Sequence, residues 1–222
     1  MPRYPEFSRP VDTWLDSQFR RPSGALGYYV GRTMARQHGP ENVWTISQLD
    51  LAPDDEILEI GFGPGLAIAA AARRLPGGTI TGVDFAPAMV AAARARNAAA
   101  VAEGQVRLIC GEANRLPLAS GHFDAAYAIH SVYFWPDPAA ALAELARVLK
   151  PAGRVALTIL PRERWPANPD GTWGTPECRV YSGAELGALL AAAGFRDPRI
   201  AVDPNREHAS SYTVLAAKPA AE

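Results

Sequence analysis

The sequence predicts an α/β fold, with a doubly wound, mostly parallel β-sheet that carries helices on both faces. Five short apolar runs rich in β residues alternate with helical stretches along the middle of the chain. These runs are mostly continuous rather than alternating with polar residues, which is typical of strands buried on both faces. The length of 222 residues is enough for one sizeable core and lies within the range that α/β domains occupy undivided. We therefore expect one domain spanning residues 1–222.

The N-terminal segment, residues 1–53, is expected to form a helical cap, because residues 11–50 contain no convincing strand. Apolar residues recur there at helical spacing in two groups: Leu26, Tyr29, Val30 and Met34, and Val43, Ile46 and Leu49. Residues 53–55 (PDD) then predict a turn into the first strand.

Residues 54–222 form the predicted core. Strands are expected at residues 56–60 (EILEI), 79–83 (TITGV), 106–110 (VRLIC), 123–129 (FDAAYAI) and 154–160 (RVALTIL). Helices are expected at residues 66–75, 87–102 and 139–149. Alanine, the best helix former, is concentrated in the first two of these helices. This repeated order of strand, helix and strand indicates a parallel sheet covered on both sides.

The C-terminal part has a different pattern. A helix is predicted over residues 182–193, with Ser182 as a plausible N-cap and Glu185 three residues later. Two strands, residues 199–202 and 211–217, flank a turn-like sequence and are expected to pair as an antiparallel hairpin. The preceding segment, residues 161–181, has four prolines and no periodicity. A loop this long inside a compact domain is usually functional or disordered.

The sharpest chemical signal is the glycine-rich sequence EIGFGPG, residues 59–65, between the first strand and the helix after it. A glycine turn at that place lets a ligand touch the backbone, while the helix N-terminus supplies amide donors and positive potential. A dinucleotide-binding fold would need a third glycine where Leu66 stands, which disfavours a nicotinamide oxidoreductase. The second strand ends at Asp84, where a carboxylate can accept both hydroxyls of an adenosine ribose.

Taken together, these features resemble those of class I S-adenosylmethionine-dependent methyltransferases. Five blocks between about residues 54 and 160 carry the resemblance in order and spacing: ILEIGFGPG (57–65), GVDFAPAMV (82–90), GEANRLPL (111–118), FDAAYAI (123–129) and RVLKPAG (147–153). The resemblance implies a Rossmann-like methyltransferase fold with seven strands, of which the last is antiparallel. It also implies S-adenosylmethionine as the methyl donor and S-adenosylhomocysteine as the product.

Carried over by position, the resemblance implies a set of cofactor-binding residues: Glu59, Gly61, Gly63, Gly65, Asp84, Phe85, Met89, Glu112 and Ala113. Glu59 and the backbone of the three glycines would hold the methionine end, and Asp84 would hold the ribose. The other four residues would surround the adenine, with Glu112 facing its exocyclic amine.

The residues that would contact the methyl acceptor are predicted less directly by the resemblance. His130 comes after the fourth strand, at the mouth where the family's methyl group points, and is a candidate general base, pocket residue or hydrogen-bond donor. Candidate acceptor contacts are Tyr28, Tyr29, Tyr133, Trp165, Trp173 and His208, and Phe134 and Trp135 are candidate pocket walls. Aromatic residues at such junctions also commonly pack a helix onto a sheet. We expect residues 161–181 to close as a lid with the cap; the alternative is a static loop whose two tryptophans pack on the domain.

The resemblance implies transfer of a methyl group to a small-molecule or short-peptide nucleophile by in-line displacement, without a metal. A non-catalytic, S-adenosylmethionine-binding regulatory protein on the same fold is the alternative. The 22 basic and 23 acidic residues give a net charge of −1. Proteins that bind nucleic acid or anionic membranes generally carry a strong positive charge, so we expect neither as a partner. The sequence contains no apolar stretch long enough for a membrane span and no apolar signal-peptide core, so we expect a cytoplasmic protein.

Overall fold

The computed structural model describes residues 39–165, 167–168, 170–175, 178–204 and 211–221. Three residues predicted to contact the acceptor, Tyr28, Tyr29 and His208, lie outside these ranges. Within them, no helix is both long enough and apolar enough to cross a membrane.

The described elements follow one another in the predicted α/β order. They are α1 (Gly39–Ser47), β1 (Glu56–Ile60), α2 (Leu66–Ala72), β2 (Thr79–Asp84), α3 (Pro87–Arg96), α4 (Ala98–Ala102), β3 (Val106–Cys110), β4 (Phe123–Ile129), α5 (Pro138–Val148), β5 (Leu149–Ile159), α6 (Gly183–Ala192), β6 (Arg196–Val202) and β7 (Tyr212–Ala217). Short 3₁₀ turns at Val132–Phe134 and Arg162–Arg164 follow β4 and β5.

The strands form one seven-stranded sheet in the order β3-β2-β1-β4-β5-β7-β6. The first five strands of this order are parallel to one another, whereas β7 runs antiparallel to both β5 and β6. The prediction of a mostly parallel sheet with a C-terminal antiparallel hairpin is therefore confirmed. The strand order reverses between β1 and β4, and open α/β sheets bind ligands in the crevice outside the carboxyl ends of the strands at such a point.

Apolar side chains fill both faces of the sheet. Ile57 and Leu58, neighbours on β1, are both fully buried, but they belong to two different apolar clusters. Successive side chains of a strand point to opposite faces, so β1 contributes to a core on each side. This explains why the strand sequences are continuous rather than alternating apolar runs.

The predicted helix over residues 87–102 is instead two helices, α3 and α4, which meet at Asn97. The buried amide of Asn97 donates to the carbonyl oxygens of Ala93, at 2.9 Å, and of Gly65, at 3.1 Å. An asparagine side chain that bonds nearby backbone competes with the helical hydrogen-bond pattern. The side chain of Asn97 therefore interrupts the helix and also anchors α3 to the glycine-rich loop.

Candidate active site

A cavity lies at the carboxyl ends of β1, β2 and β4, where the strand order reverses. Of the nine residues predicted to bind the cofactor, eight line it: Glu59, Gly61, Gly63, Asp84, Phe85, Met89, Glu112 and Ala113. Seven of them come from the ends of β1, β2 and β3 or the loops after these strands, and Met89 comes from the first turn of α3. The parallel sheet brings these strand ends to a single edge.

The ninth residue, Gly65, does not line the cavity. Its φ of 75° is left-handed, and a Cβ placed on it would lie 2.8 Å from Cβ of Ala93 on α3. Gly65 also precedes α2 directly. The structure therefore places this glycine where the loop and two helices pack closely, and its contact with the cofactor stays a prediction.

Gly61 and Gly63 turn the loop with φ values of 73° and 52°. A Cβ on Gly61 would lie 2.3 Å from Cβ of Ser131, whose hydroxyl donates to the carbonyl oxygen of Ile60 at 2.7 Å. Gly61 therefore allows the loop to approach the end of β4 closely. A Cβ on Gly63 would meet no atom within 4 Å, so this glycine leaves space free on the cavity wall.

Asp84 is buried at the tip of β2, where it accepts two backbone hydrogen bonds. The N–H of Gly63 donates to Oδ2 and the N–H of Ala86 donates to Oδ1, each at 2.9 Å. Burial raises the pKa of the Asp84 carboxyl, and the two hydrogen bonds partly offset this effect. A carboxylate has about four lone-pair sites, so Asp84 retains the capacity to accept ligand hydroxyls.

Glu59, on β1, is 2% exposed and accepts a hydrogen bond of 2.8 Å from the hydroxyl of Tyr127. Desolvation raises the pKa of the Glu59 carboxyl to about 8; the hydrogen bond opposes this shift and the charge of Asp84 adds to it. No lysine or arginine is among the residues that line the cavity in the described part of the chain. Two buried carboxyl groups in such a lining suit a ligand that carries positive charge, because a nearby cation favours their ionised forms.

His130 follows β4 directly, with a φ of 53°, and is one of the residues that line the cavity. Its Nε2 lies 2.8 Å from Oε2 of Glu41, and its Nδ1 lies 3.2 Å from the hydroxyl oxygen of Tyr133. The Tyr133 hydroxyl also accepts a hydrogen bond from the backbone N–H of Leu160. Both ring nitrogens therefore have polar neighbours from the protein itself.

The remaining predicted acceptor contacts within the described residues do not line the cavity. Tyr133 is buried beside His130, and the indole N–H of Trp165 donates to the carbonyl oxygen of Leu160 at 2.9 Å. Trp165 also packs edge-on against Tyr133, with 5.6 Å between the ring centroids. Trp173 is 43% exposed and lies under the guanidinium of Arg162. Phe134 and Trp135, the two candidate walls, do line the cavity.

Two residues of α1 were not anticipated. Asn42 lines the cavity, and Glu41 contacts His130 although it is only 3% exposed. Their signal in the sequence is weak, because it consists of two polar residues in a short helix that also carries the buried Ile46. Among the residues that the structure describes, no group of three or more side chains could hold a metal ion.

Comparisons with known proteins agree with this arrangement. Residues 58–157 match the model of a family described as a methyltransferase domain. An uncharacterized methyltransferase of Bacillus subtilis (strain 168), YdaC, is 33% identical over 168 residues, which are 76% of this chain and 86% of YdaC. Nocamycin O-methyltransferase of Saccharothrix syringae is also 33% identical over 168 residues, which are 71% of this chain and 60% of that enzyme.

Solved structures share the fold. The crystal structure of the [4+2]-cyclase SpnF matches with a TM-score of 0.71 and 21% identity, and the match covers 82% of each chain. At that identity the likeness concerns the fold alone.

Proposed function

This chain belongs to the class I S-adenosylmethionine-dependent methyltransferases, and from that premise we propose that it methylates a small-molecule or short-peptide nucleophile by in-line displacement. The cavity at the switch point of the sheet is the proposed site. When bound, S-adenosylmethionine supplies a methyl group on a sulfonium, which is already a good leaving group. The protein's tasks are then to align donor and acceptor, to exclude water and to receive a proton where the acceptor carries one.

The pair of buried carboxylates, Glu59 and Asp84, is the observation that carries this proposal. S-adenosylmethionine has a sulfonium and an ammonium group, and this positive charge would favour the ionised form of both carboxyl groups. No lysine or arginine lines the cavity among the described residues, so no protein cation competes for that role. We assign Asp84 to the ribose hydroxyls and Glu59, with the backbone of Gly61 and Gly63, to the methionine end. Phe85, Met89, Glu112 and Ala113 are assigned to the adenine.

Of the two proposed classes of acceptor, we favour a small molecule. Nocamycin O-methyltransferase is named for a small-molecule product, although this chain spans only 60% of its length. The cavity is also lined by Phe134 and Trp135, whose aromatic rings suit an acceptor with an apolar or aromatic body. The likeness to a cyclase shows that the fold does not decide the reaction, so the acceptor has to be established by experiment.

Calorimetry and a product assay together test the proposal. S-adenosylmethionine and S-adenosylhomocysteine should both bind, and mass spectrometry should detect S-adenosylhomocysteine when phenols, carboxylic acids, amines and thiols are offered as acceptors. Binding without product from any acceptor would favour the non-catalytic regulatory alternative. The absence of binding to either compound would contradict both functions.

A further inference from the structure

Asn42, on α1, brings a side-chain amide to the cavity. The residue is 8% exposed and is one of those that line the cavity. Among the residues that the structure describes, its amide has no hydrogen-bond partner, and neither amide atom is fully enclosed by protein. Burial of an amide without a partner is unfavourable, and a hydrogen bond to a ligand removes that cost. The amide is therefore placed to bind a polar group inside the cavity.

The contacts of α1 place Asn42 near the methionine end of the proposed cofactor site. The helix packs against α2, which begins directly after the glycine-rich loop. Glu41, the residue before Asn42, contacts His130 after β4, and Thr45 bonds to Thr158 on β5 at 2.7 Å. The helix therefore approaches the cavity from the side of α2 and β4, whereas the adenine is assigned to the ends of β2 and β3.

The methionine end carries an ammonium and a carboxylate, which need opposite partners. An ionised Glu59 suits the ammonium but repels the carboxylate. The N–H of Gly61 already donates to the carbonyl oxygen of Val83 at 2.7 Å, and the N–H of Gly63 donates to Asp84 at 2.9 Å. The carboxylate therefore needs a donor other than these two backbone groups.

Asn42 fits this requirement better than the neighbouring polar side chains. The hydroxyl of Ser131 donates to the carbonyl oxygen of Ile60 at 2.7 Å, and both ring nitrogens of His130 face protein groups. In the described part of the chain, the residues that line the cavity include no lysine or arginine, and only Asn42 has a side-chain amide. A primary amide carries two N–H donors, and hydrogen bonds to a charged group are stronger than neutral ones.

We propose that Asn42 binds the carboxylate of the methionine end and makes the site selective for ligands that keep this amino-acid part. This inference rests on the proposed function, because it uses the cofactor site assigned there. The amide donates N–H groups and adds no charge, so the carboxylate is recognised by hydrogen bonds rather than by an ion pair. A negative charge at this position should therefore weaken binding more than loss of the amide alone.

Calorimetry with two ligands tests this contact without an acceptor. S-adenosylhomocysteine carries the carboxylate, whereas 5′-methylthioadenosine has the same adenosine and a thioether but lacks the amino-acid part. Loss of a hydrogen bond to a charged group corresponds to a change of roughly 10- to 100-fold, so Asn42→Leu should weaken S-adenosylhomocysteine binding by about that factor. Asn42→Asp should weaken it further. Both variants should bind 5′-methylthioadenosine within about twofold of the wild type, because that ligand makes no contact with the amide.

Val43→Asp is the matched control, because Val43 is the next residue of α1, is 43% exposed and does not line the cavity. It adds the same charge outside the cavity and should leave both affinities unchanged. Unchanged or tighter binding of S-adenosylhomocysteine to Asn42→Asp would overturn the proposal, and so would an equal loss for the two ligands. In each of these cases the wild type still binds S-adenosylhomocysteine, which distinguishes them from failure of the proposed function, where it would bind neither ligand.

Discussion

The carboxylate of Asp84 accepts a hydrogen bond of 2.9 Å from the backbone N–H of Gly63, across 21 residues of sequence. Its other oxygen accepts the N–H of Ala86. The side chain proposed to bind the ribose therefore also ties the end of β2 to the glycine-rich loop after β1. Stability and ligand affinity should consequently depend on the same group.

Asp84→Ala should affect both properties. Hydrogen bonds to a charged group contribute roughly 1.5–3 kcal/mol each, so loss of the ribose contacts should weaken S-adenosylmethionine binding by about 10²-fold or more. Loss of the two backbone contacts should also lower the free energy of unfolding by about 2–3 kcal/mol. Calorimetry and urea denaturation measure the two effects, and a folded variant with near-native affinity would remove Asp84 from the site.

The matched control is Asp124→Ala. Asp124 accepts hydrogen bonds of 2.9 Å from the N–H of Glu56 and 2.8 Å from Lys150, at the opposite end of the sheet. Its removal should lower stability and leave S-adenosylmethionine affinity unchanged.

The two loop glycines should respond differently to alanine. In Gly61→Ala the new Cβ would collide with Ser131, so we expect loss of stability by roughly 2 kcal/mol or more and loss of binding. In Gly63→Ala the Cβ meets no protein atom and incurs only the strain of a φ of 52°, about 1 kcal/mol. Because Gly63 lines the cavity, its Cβ should lower cofactor affinity more than it lowers stability. Thermal unfolding and calorimetry on both variants check this, and full affinity in Gly63→Ala would argue against backbone contact at Gly63.

The raised pKa of Glu59 predicts a pH dependence of stability. The folded protein keeps this proton up to a pKa of about 8, whereas the unfolded chain releases it near the ordinary value of 4.5. The folded state therefore binds more protons between these values, and its stability should fall as pH rises from about 4.5 to 8. Glu59→Gln keeps an acceptor for Tyr127 but cannot ionise. The difference in unfolding free energy, variant minus wild type, should therefore grow across that range in the absence of ligand, and a difference independent of pH would contradict the burial effect.

The alternation of strands and helices, and the position of the predicted cofactor-binding residues at one edge of the sheet, could be predicted because they depend on local signals. Continuous apolar runs indicated the parallel strands. The ends of β1 and β2 and the loop after β1 indicated Glu59, Asp84 and Gly63. In a parallel sheet the carboxyl ends of neighbouring strands meet at one edge. Residues at those positions are therefore brought together independently of the conformation of the loops. Gly65 shows the limit of such signals, because a glycine that contacts a ligand and one that packs against Ala93 look the same in sequence.

The acceptor side could not be predicted in the same way, because it depends on how α1 docks. The sequence pattern placed Val43 on the apolar face of this helix with Ile46 and Leu49, yet Val43 is 43% exposed. The buried residues of this helix instead include Glu41, which contacts His130 after β4, and Asn42, which lines the cavity. Periodicity cannot reveal a polar residue whose partner lies 89 residues away.

The lid over residues 161–181 remains a prediction, which the structure makes more specific. Residues 161–165 are anchored, because the N–H of Arg162 donates to the carbonyl oxygen of Tyr181 at 2.8 Å and Trp165 is held by Leu160. Further along, Trp173 is exposed and lies between two glycines with φ values near 80°, Gly171 and Gly174. Closure should therefore move the part of the segment around Trp173 and leave the anchor in place.

Hydrogen exchange measured with and without S-adenosylhomocysteine and an acceptor tests this movement. Amides of the segment around Trp173 should gain protection with both ligands present, whereas those of residues 161–165 should not change, because they are already held in the ligand-free protein. Trp173→Ala should raise the acceptor KM without lowering the melting temperature, since its ring is half exposed, whereas Trp165→Ala should lower the melting temperature. Identical exchange in both states, together with an unchanged KM in Trp173→Ala, would identify the segment as a static surface loop.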